Sequence, residues 1–216
     1  MARLKAGYHH GDLRRALMDA ALASVAEGGL ASLSLREAAR RVGVSPAAPY
    51  HHFPSLEALV EALCAEGFSG LDAAMAAAAA ADPQAQMRAL GRAYLHYAAT
   101  HPAHFRLMFS GPAPELEAPS PDTVPAFGQL IAGIHDLQAA GLAPPGPVAP
   151  LALLAWSLVH GLACLRIDGP LSGGLMGLTP EALETSLTDT FVACLAALAG
   201  KRGDPGGTAA GPAGEP

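Results

Sequence analysis

Residues 34–53 constrain the fold of this chain most, because they read as two short helices joined by a tight turn. Ser34 stands three residues before Glu37, which is the spacing of a capping box: the hydroxyl and the carboxylate each accept an amide at the helix start. The apolar residues that follow share one helical face, formed by Leu35, Ala38, Ala39 and Val42. We therefore expect a short amphipathic helix between Ser34 and Gly43.

A second helix is predicted just beyond this turn. Ser45 is a favoured N-cap residue, and Pro46 follows at the first helical position, where no amide is needed. Two helices at this spacing form a helix-turn-helix, which lays its second helix in the major groove of DNA. Residues 34–53 therefore predict a DNA-binding motif.

Nearly all of the remaining chain follows the helical period of 3.6 residues, and no convincing strand pattern appears. We expect an all-α protein with an N-terminal three-helix bundle at 1–54, a larger C-terminal bundle at 55–199 and a flexible tail at 200–216. The proline-rich, acidic segment 111–125 predicts a mobile loop. About nine helices are predicted, near 12–28, 34–42, 45–53, 56–81, 84–100, 102–109, 125–140, 148–167 and 179–198.

Charge is divided unevenly along the chain. Residues 1–54 carry seven Lys and Arg against four Asp and Glu, a net charge of +3. The rest of the chain has a net charge of −9, which gives the whole chain its net charge of −6. Because a basic end attracts phosphate, this asymmetry favours DNA contact through the N-terminal domain. An N-terminal arm, which either reaches the minor groove or is a solvated terminus, consists of Arg3, Lys5, Tyr8, His9 and His10.

Metal, redox and cofactor chemistry find little support in the sequence. The three cysteines stand far apart in apolar runs, which favours reduced, buried thiols in the cytoplasm. We expect no metal and no cofactor. Pro102 breaks the helix near the clustered histidines, and no neighbouring cysteine or carboxylate completes a ligand set with His96, His101 and His104.

Enzyme activity and membrane insertion are likewise not expected. Ser157 and His160 lie one turn apart, but no acidic orienting group or oxyanion loop accompanies them. The uncharged stretch 148–165 contains Pro150 and lacks a basic flank, so a buried or subunit-interface helix is favoured over a membrane span.

The order of these motifs is similar to that of a known family. YHHGDLRRALMDAALASVAEGG and SLREAARRVGVSPAAPYHHFPSLEALVEAL together cover Tyr8 to Leu63 almost without a gap. In these segments the chain resembles the tetracycline-repressor (TetR) family of transcriptional regulators. A weaker similarity, through YLHYAATHPAHFRLMFS and AWSLVHGLACL, is to a subgroup named for a Trp-His-Gly pattern, here Trp156, His160 and Gly161.

This resemblance implies an architecture and a mode of action. It implies an all-α homodimer in which the last two helices of each copy pair in a four-helix interface. It also implies a small-molecule pocket in the C-terminal bundle. A ligand bound there would release the protein from a near-palindromic operator.

Residues of the motif are assigned by the DNA groups that suit them. Ala47 and Ala48 are small enough for the backbone to approach base edges, and their methyl groups suit thymine methyls. Ser34 and Arg36 would contact phosphate, which sets register rather than sequence. The candidate DNA-binding residues are Ser34, Arg36, Ser45, Ala47, Ala48, Tyr50, His51 and His52.

The resemblance implies that Tyr50 and His52 contact phosphate, because they match family positions that usually do so. Aromatic residues at i and i+3 can also simply seal a small core, so Phe53 is assigned to the core, and Tyr50 is assigned to DNA with the core as its alternative. Two residues depart from the family pattern. Leu56 stands where a lysine commonly grips phosphate, and Pro49 stands inside the second helix where Leu or Ile is more usual.

The implied pocket would be lined by large apolar and aromatic groups with a few polar ones. Arg92 and Arg106 are the charged side chains nearby in the sequence, so a mostly apolar effector is expected. Each candidate suits ordinary core packing equally well. The candidates are Tyr94, Tyr97, Phe105, Met108, Phe109, Phe127, Ile131, Trp156 and His160.

Two function hypotheses follow from the sequence. The first is a cytoplasmic, dimeric, ligand-responsive regulator, expected to be a repressor, whose partners are double-stranded operator DNA and a small effector. The alternative is a small-molecule- or metal-sensing helical protein with weakened DNA binding, which Pro49 and Leu56 favour.

Overall fold

The computed structural model describes residues 10–110 and 125–201, which form eight α-helices and two short 3₁₀ turns, at Leu30–Ser32 and Ala48–His51. The expected all-α class is confirmed. The predicted arm, proline-rich loop and tail lie outside the described residues except at their inner ends. The helices are α1 His10–Gly28, α2 Leu35–Val42, α3 Leu56–Ala76, α4 Pro83–Thr100, α5 Pro102–Met108, α6 Pro125–Ala139, α7 Val148–Ile167 and α8 Pro180–Lys201.

The chain divides into two compact units, and α3 and α4 contribute residues to both. Unit 1 consists of Met1–Ala74 and His96–Ser120, and unit 2 consists of Met75–Leu95 and Pro121–Pro216, within the described ranges. The core of unit 1 includes Leu17, Ala21, Val25, Leu35, Ala38, Phe53, Leu59, Leu63 and Leu107. The core of unit 2 includes Met87, Leu130, Ile134, Leu137, Ala152, Ala155, Val192 and Leu195.

The predicted helix 56–81 ends earlier than its sequence indicates, at Ala76. The alanine run beyond it has the highest helix propensity, but propensity is a weak preference that specific bonds override. Asp82 accepts an amide of the first turn of α4 at 2.8 Å, and the side chain of Gln86 accepts the amide of Ala80 at 2.7 Å. These bonds hold the end of the alanine run in a connection between α3 and α4.

The count of nine helices is also corrected, because the segment that begins at Ser45 forms a 3₁₀ turn instead of an α-helix in the described structure. The other predicted helices are present, with ends shifted by a few residues.

Helices α7 and α8 keep large apolar side chains on their outer surfaces. Leu153, Leu154 and Leu165 on α7 are 57%, 54% and 46% exposed, and Leu198 on α8 is 50% exposed. Both helices are long and apolar enough to cross a membrane by length and composition. An ion cluster joins them, in which Arg166 contacts the buried Glu184 and the exposed Glu181.

Candidate DNA-binding and effector sites

The first helix of the motif starts as predicted, since the Ser34 hydroxyl accepts a hydrogen bond from the Glu37 amide at 3.1 Å. The other half of the predicted capping box is wrong. The Glu37 carboxylate accepts from Arg40 at 2.6 and 2.7 Å and from Arg41 at 2.8 Å, because two charged donors bind a carboxylate more strongly than a neutral amide does. Hydrogen bonds from Arg40 and then Arg41 lower the pKa of Glu37 to about 2.

The second element of the motif differs from the prediction. Gly43 makes the turn with a φ of +80°, but the next element is a 3₁₀ turn over Ala48–His51. In an α-helix that starts at Ser45, the amide of residue 49 would bond to the Ser45 carbonyl, and Pro49 has no amide. The Ala48 amide donates a hydrogen bond to the Ser45 carbonyl at 3.0 Å, and a bond over three residues is the 3₁₀ pattern. Ser45 therefore contributes its carbonyl, and the prediction that it caps an α-helix is wrong.

Pro49 is itself a core residue, which the sequence reasoning missed. It is buried, and the amides of His52 and Phe53 both donate to its carbonyl at 2.9 Å. Phe53 is 2% exposed, as assigned from the sequence, and the Arg14 guanidinium lies 5.0 Å from the centre of its ring. A proline four residues before a buried aromatic was the signal that could have indicated this tight turn.

The candidate DNA-binding side chains differ in exposure. Ser45, Ala47 and His51 are exposed, and Tyr50 is 50% exposed. Ser34, Ala48 and His52 are half-buried. The turn thus presents small and polar groups to solvent, a surface that suits base edges.

The three arginines of α2 are not equivalent. Arg40 and Arg41 are held by Glu37, and Arg41 also bonds to Glu27 at 2.7 Å. Arg36 is exposed, and it makes no ion pair within the described residues. Arg36 is therefore the guanidinium of the motif that is available to a phosphate. The spacing of Glu37 before Arg40 and Arg41 was a sequence signal for this difference.

The predicted pocket residues fall into two sets. Tyr97, Phe105, Met108 and Phe109 belong to unit 1, where the first three are buried in the core and Phe109 is half-buried. The Tyr97 hydroxyl donates to the carbonyl of Gly67 at 2.8 Å, and the rings of Phe105 and Phe109 lie 4.9 Å apart. The set in unit 2 is Tyr94, Phe127, Ile131, Trp156 and His160.

The unit 2 set contains a chain of polar contacts inside an aromatic cluster. The Tyr94 hydroxyl lies 2.8 Å from Nδ1 of His160 and accepts a hydrogen bond from Nε1 of Trp156 at 3.4 Å. The ring of Phe127 lies edge-on to Trp156, with centroids 5.9 Å apart. Burial raises the pKa of Tyr94 and lowers the pKa of His160, so both groups are neutral near pH 7. The cluster therefore offers neutral hydrogen-bonding groups beside aromatic faces.

The histidines near Pro102 make other contacts. Nε2 of His104 lies 3.2 Å from the carboxylate of Glu66, which also bonds to Arg15 on α1 at 2.6 Å. His101 stacks on Tyr97 with ring centroids 4.5 Å apart. In the described part of the chain, no three His, Cys, Asp or Glu side chains are placed to hold a metal ion.

Two protein-family models match this chain. The model described as bacterial regulatory proteins, tetR family, matches residues 17–63, which contain the motif. The model described as tetracyclin repressor-like, C-terminal domain, matches residues 87–191. The chain belongs to the TetR family. TetR-family proteins are DNA-binding transcriptional regulators, so the resemblance read from the sequence is confirmed.

The chain is also similar to individual proteins. The HTH-type transcriptional regulator Rv1816 of Mycobacterium tuberculosis is 31% identical over 119 residues, covering 53% of this chain and 51% of that protein. The chain thus matches about half the length of this curated relative. A solved protein of unknown function from Rhodococcus sp. RHA1 is 34% identical, with a TM-score of 0.73, covering 89% of this chain and all of that one.

A third comparison concerns the fold alone. The structure of a single-residue variant of TetR from Acinetobacter baumannii AYE, in complex with minocycline, has a TM-score of 0.59 at 20% identity. It covers 89% of this chain and 98% of that chain.

Proposed function

We propose that this TetR-family protein is a cytoplasmic, dimeric repressor that binds a near-palindromic operator and is released by a small, mostly apolar effector. The observation that carries the proposal is the surface of the motif. The 3₁₀ turn exposes Tyr50 and His51, Ala47 is exposed just before it, and α2 exposes Arg36 without a carboxylate partner among the described residues. Small and polar groups suit base edges, and a guanidinium suits phosphate. We also propose that the DNA-binding domain ends at residue 54 and that the effector-binding and dimerisation domain begins at residue 55.

The outer faces of α7 and α8 support association with a second copy. Leu154, Ser157, Gly161 and Leu165 follow one another at helical spacing, and a Cβ on Gly161 would meet open space. Gly161 is half-buried between the exposed Leu154 and Leu165, and a glycine at such a place lets another helix approach closely. A dimer would cover this stripe and remove apolar surface from water.

The effector site is proposed at the aromatic cluster of unit 2, where Tyr94, Trp156 and His160 supply hydrogen bonds and Phe127 and Ile131 supply apolar contact. The TetR protein of Acinetobacter baumannii was solved with a small molecule, minocycline, which supports small-molecule binding by this fold without identifying the effector here. The neutral lining favours an uncharged effector.

DNA binding is tested by mobility shifts on fragments from upstream of the protein's own gene at physiological salt. Tyr50→Ala and Arg36→Ala should weaken the shift, whereas His96→Ala, an exposed residue of α4, should leave it unchanged. Equal shifts for all four proteins would contradict the assignment of the motif surface.

The dimer is tested by sedimentation of the full chain without detergent. Gly161→Leu should lower the dimer fraction by filling the space above Gly161, and Gly173→Ala, at an exposed turn without a positive φ, would serve as a control. A monomer, or a protein that requires detergent, would contradict the proposed interface.

The alternative function, effector sensing with weakened DNA binding, is favoured by one observation. Arg40 and Arg41 are occupied by carboxylates, and Leu56 replaces the usual lysine, so few cations are left for phosphate. Effector binding without any retained DNA fragment at physiological salt would favour this alternative.

A further inference from the structure

Cys164 lies one helical turn after His160 on α7, with its Sγ 3.6 Å from Nε2 of the imidazole. The thiol is half-buried. A thiol next to an imidazole has a proton acceptor within reach, which is the arrangement that activates nucleophilic cysteines. The sequence reasoning paired His160 with Ser157, and Ser157 is exposed.

A third group orients the imidazole. Nδ1 of His160 lies 2.8 Å from the Tyr94 hydroxyl, whose oxygen also accepts from Nε1 of Trp156 at 3.4 Å. A tyrosine oxygen has two lone pairs, so it can accept from both rings. With the His160 proton on Nδ1, the lone pair of Nε2 faces the thiol of Cys164. Cys164, His160 and Tyr94 then stand as nucleophile, base and orienting group.

We propose that Cys164 is a covalent attachment site for uncharged α,β-unsaturated carbonyl compounds, with His160 as the base. The sulfur forms a bond to the β-carbon while the C=C π pair moves toward the carbonyl as an enolate. The thiol proton passes to Nε2 of His160 and then to the α-carbon. The product is a neutral thioether, and the addition consumes no oxidant or reductant.

The surroundings suit this step. Burial, followed by the charge of Asp168, raises the pKa of the Cys164 thiol, so little free thiolate exists near pH 7 and the proton has to leave during attack. Burial lowers the pKa of His160, which keeps the imidazole neutral and able to accept that proton. Phe127 and Trp156 are half-buried aromatic residues that offer an apolar surface to such a reagent.

Cys64 is a matched control within the same chain. It is also half-buried, and burial also raises its pKa, but its thiol donates to the carbonyl of Leu107 at 3.4 Å. A carbonyl oxygen is too weak a base to accept the thiol proton while the sulfur attacks. Cys64 is therefore buried to a similar degree as Cys164 but has no base beside it. The adduct would form at the proposed effector site, and its formation does not depend on DNA binding.

The test is the rate of adduct formation with 2-cyclohexen-1-one on the full chain, followed at each cysteine by peptide mass spectrometry. Cys164 should react ~10-fold or more faster than Cys64, in line with general-base assistance. His160→Gln should bring Cys164 to the rate of Cys64 without changing Cys64, and Tyr94→Phe should give a smaller loss. Equal rates at the two cysteines, or a Cys164 rate that ignores His160→Gln, would overturn the proposal.

The pH profile of the wild-type protein gives a second readout that needs no variant. His160 faces Tyr94 from α4 and Trp156 and Cys164 from α7, while Asp168 acts on the thiol. The Cys164 rate should fall as the pH drops through the lowered pKa of His160 and level off above it. The Cys64 rate should keep rising with pH toward its own raised pKa. A Cys164 rate that rises in the same way as that of Cys64 would refute a base at this site.

Discussion

Replacing Arg36 by alanine should reduce the salt dependence of DNA binding. Arg36 is exposed and unpaired among the described residues, whereas the Arg40 guanidinium bonds to Glu37 through two nitrogens, at 2.6 and 2.7 Å. A dimer presents two copies of Arg36, so the variant loses about two phosphate contacts and about 1.8 units of the slope of log K against log salt. Between about 50 and about 200 mM salt, the wild-type protein should lose about tenfold more affinity than the variant.

The assay is fluorescence anisotropy with one labelled operator fragment over a series of salt concentrations. Arg40→Ala is the matched control, because it removes an exposed arginine of the same helix whose charge is already paired. The salt slope of Arg40→Ala should change by less than about half of the change expected for Arg36→Ala, because Glu37 already neutralises the charge of Arg40. Thermal unfolding of each variant establishes that the fold is kept. Equal slopes for Arg36→Ala and the wild type would refute the assignment of Arg36 to phosphate.

Three further predictions concern the stability of the motif. Ser34→Ala should lower the free energy of unfolding by about 1 kcal/mol in denaturant titrations, because the Glu37 amide loses its cap, and Ser34→Asp should restore it. Gly43→Ala should lower the free energy of unfolding by about 1–2 kcal/mol, because a φ of +80° is strained for a residue with a Cβ. An added Cβ would meet no neighbour, so this cost comes from the backbone alone, and an unchanged stability would contradict that backbone conformation. The ion pairs lower the pKa of Glu37 from 4.5 to about 2, so their stabilisation is complete above pH 4.5 and lost as the pH falls toward 2. Glu37→Gln should flatten acid unfolding curves in that window, and an unchanged curve would contradict these ion pairs.

Local signals were sufficient where the structure is determined by neighbours in the sequence. α2 begins after Ser34 and ends before Gly43 as predicted, because a cap and a left-handed turn involve only a few consecutive residues. The order of the helices followed from periodicity for the same reason. The assignment of Phe53 to the core also held, since an apolar ring at the end of a capped segment has few other places to pack.

Competing local preferences explain the errors. Ser45 and Pro46 favour a helix start, but the missing amide of Pro49 redirects the Ser45 carbonyl to a 3₁₀ bond. The alanine run beyond Ala76 favours helix, yet contacts of Asp82 and Gln86 decide its end. In each case a specific hydrogen bond outweighed propensity.

Contacts between distant residues were beyond the reach of sequence reasoning. Tyr94 and His160 are 66 residues apart, and nothing in their spacing indicates the 2.8 Å contact that orients the imidazole. The separation of the predicted pocket residues into two units likewise depends on packing. The proximity of His160 to Cys164, by contrast, was readable from their i,i+4 spacing on one helix.

Selection of DNA from a random pool with the purified full chain tests whether the exposed surface of residues 34–53 reads an operator as part of a dimer. We expect enrichment of a near-palindromic sequence with half-sites about one helical turn apart, or a multiple of it, and loss of that enrichment in Tyr50→Ala. If the folded wild-type protein enriches no sequence, or if the Tyr50→Ala variant enriches the same sequence, the assignment of residues 34–53 to operator binding is contradicted.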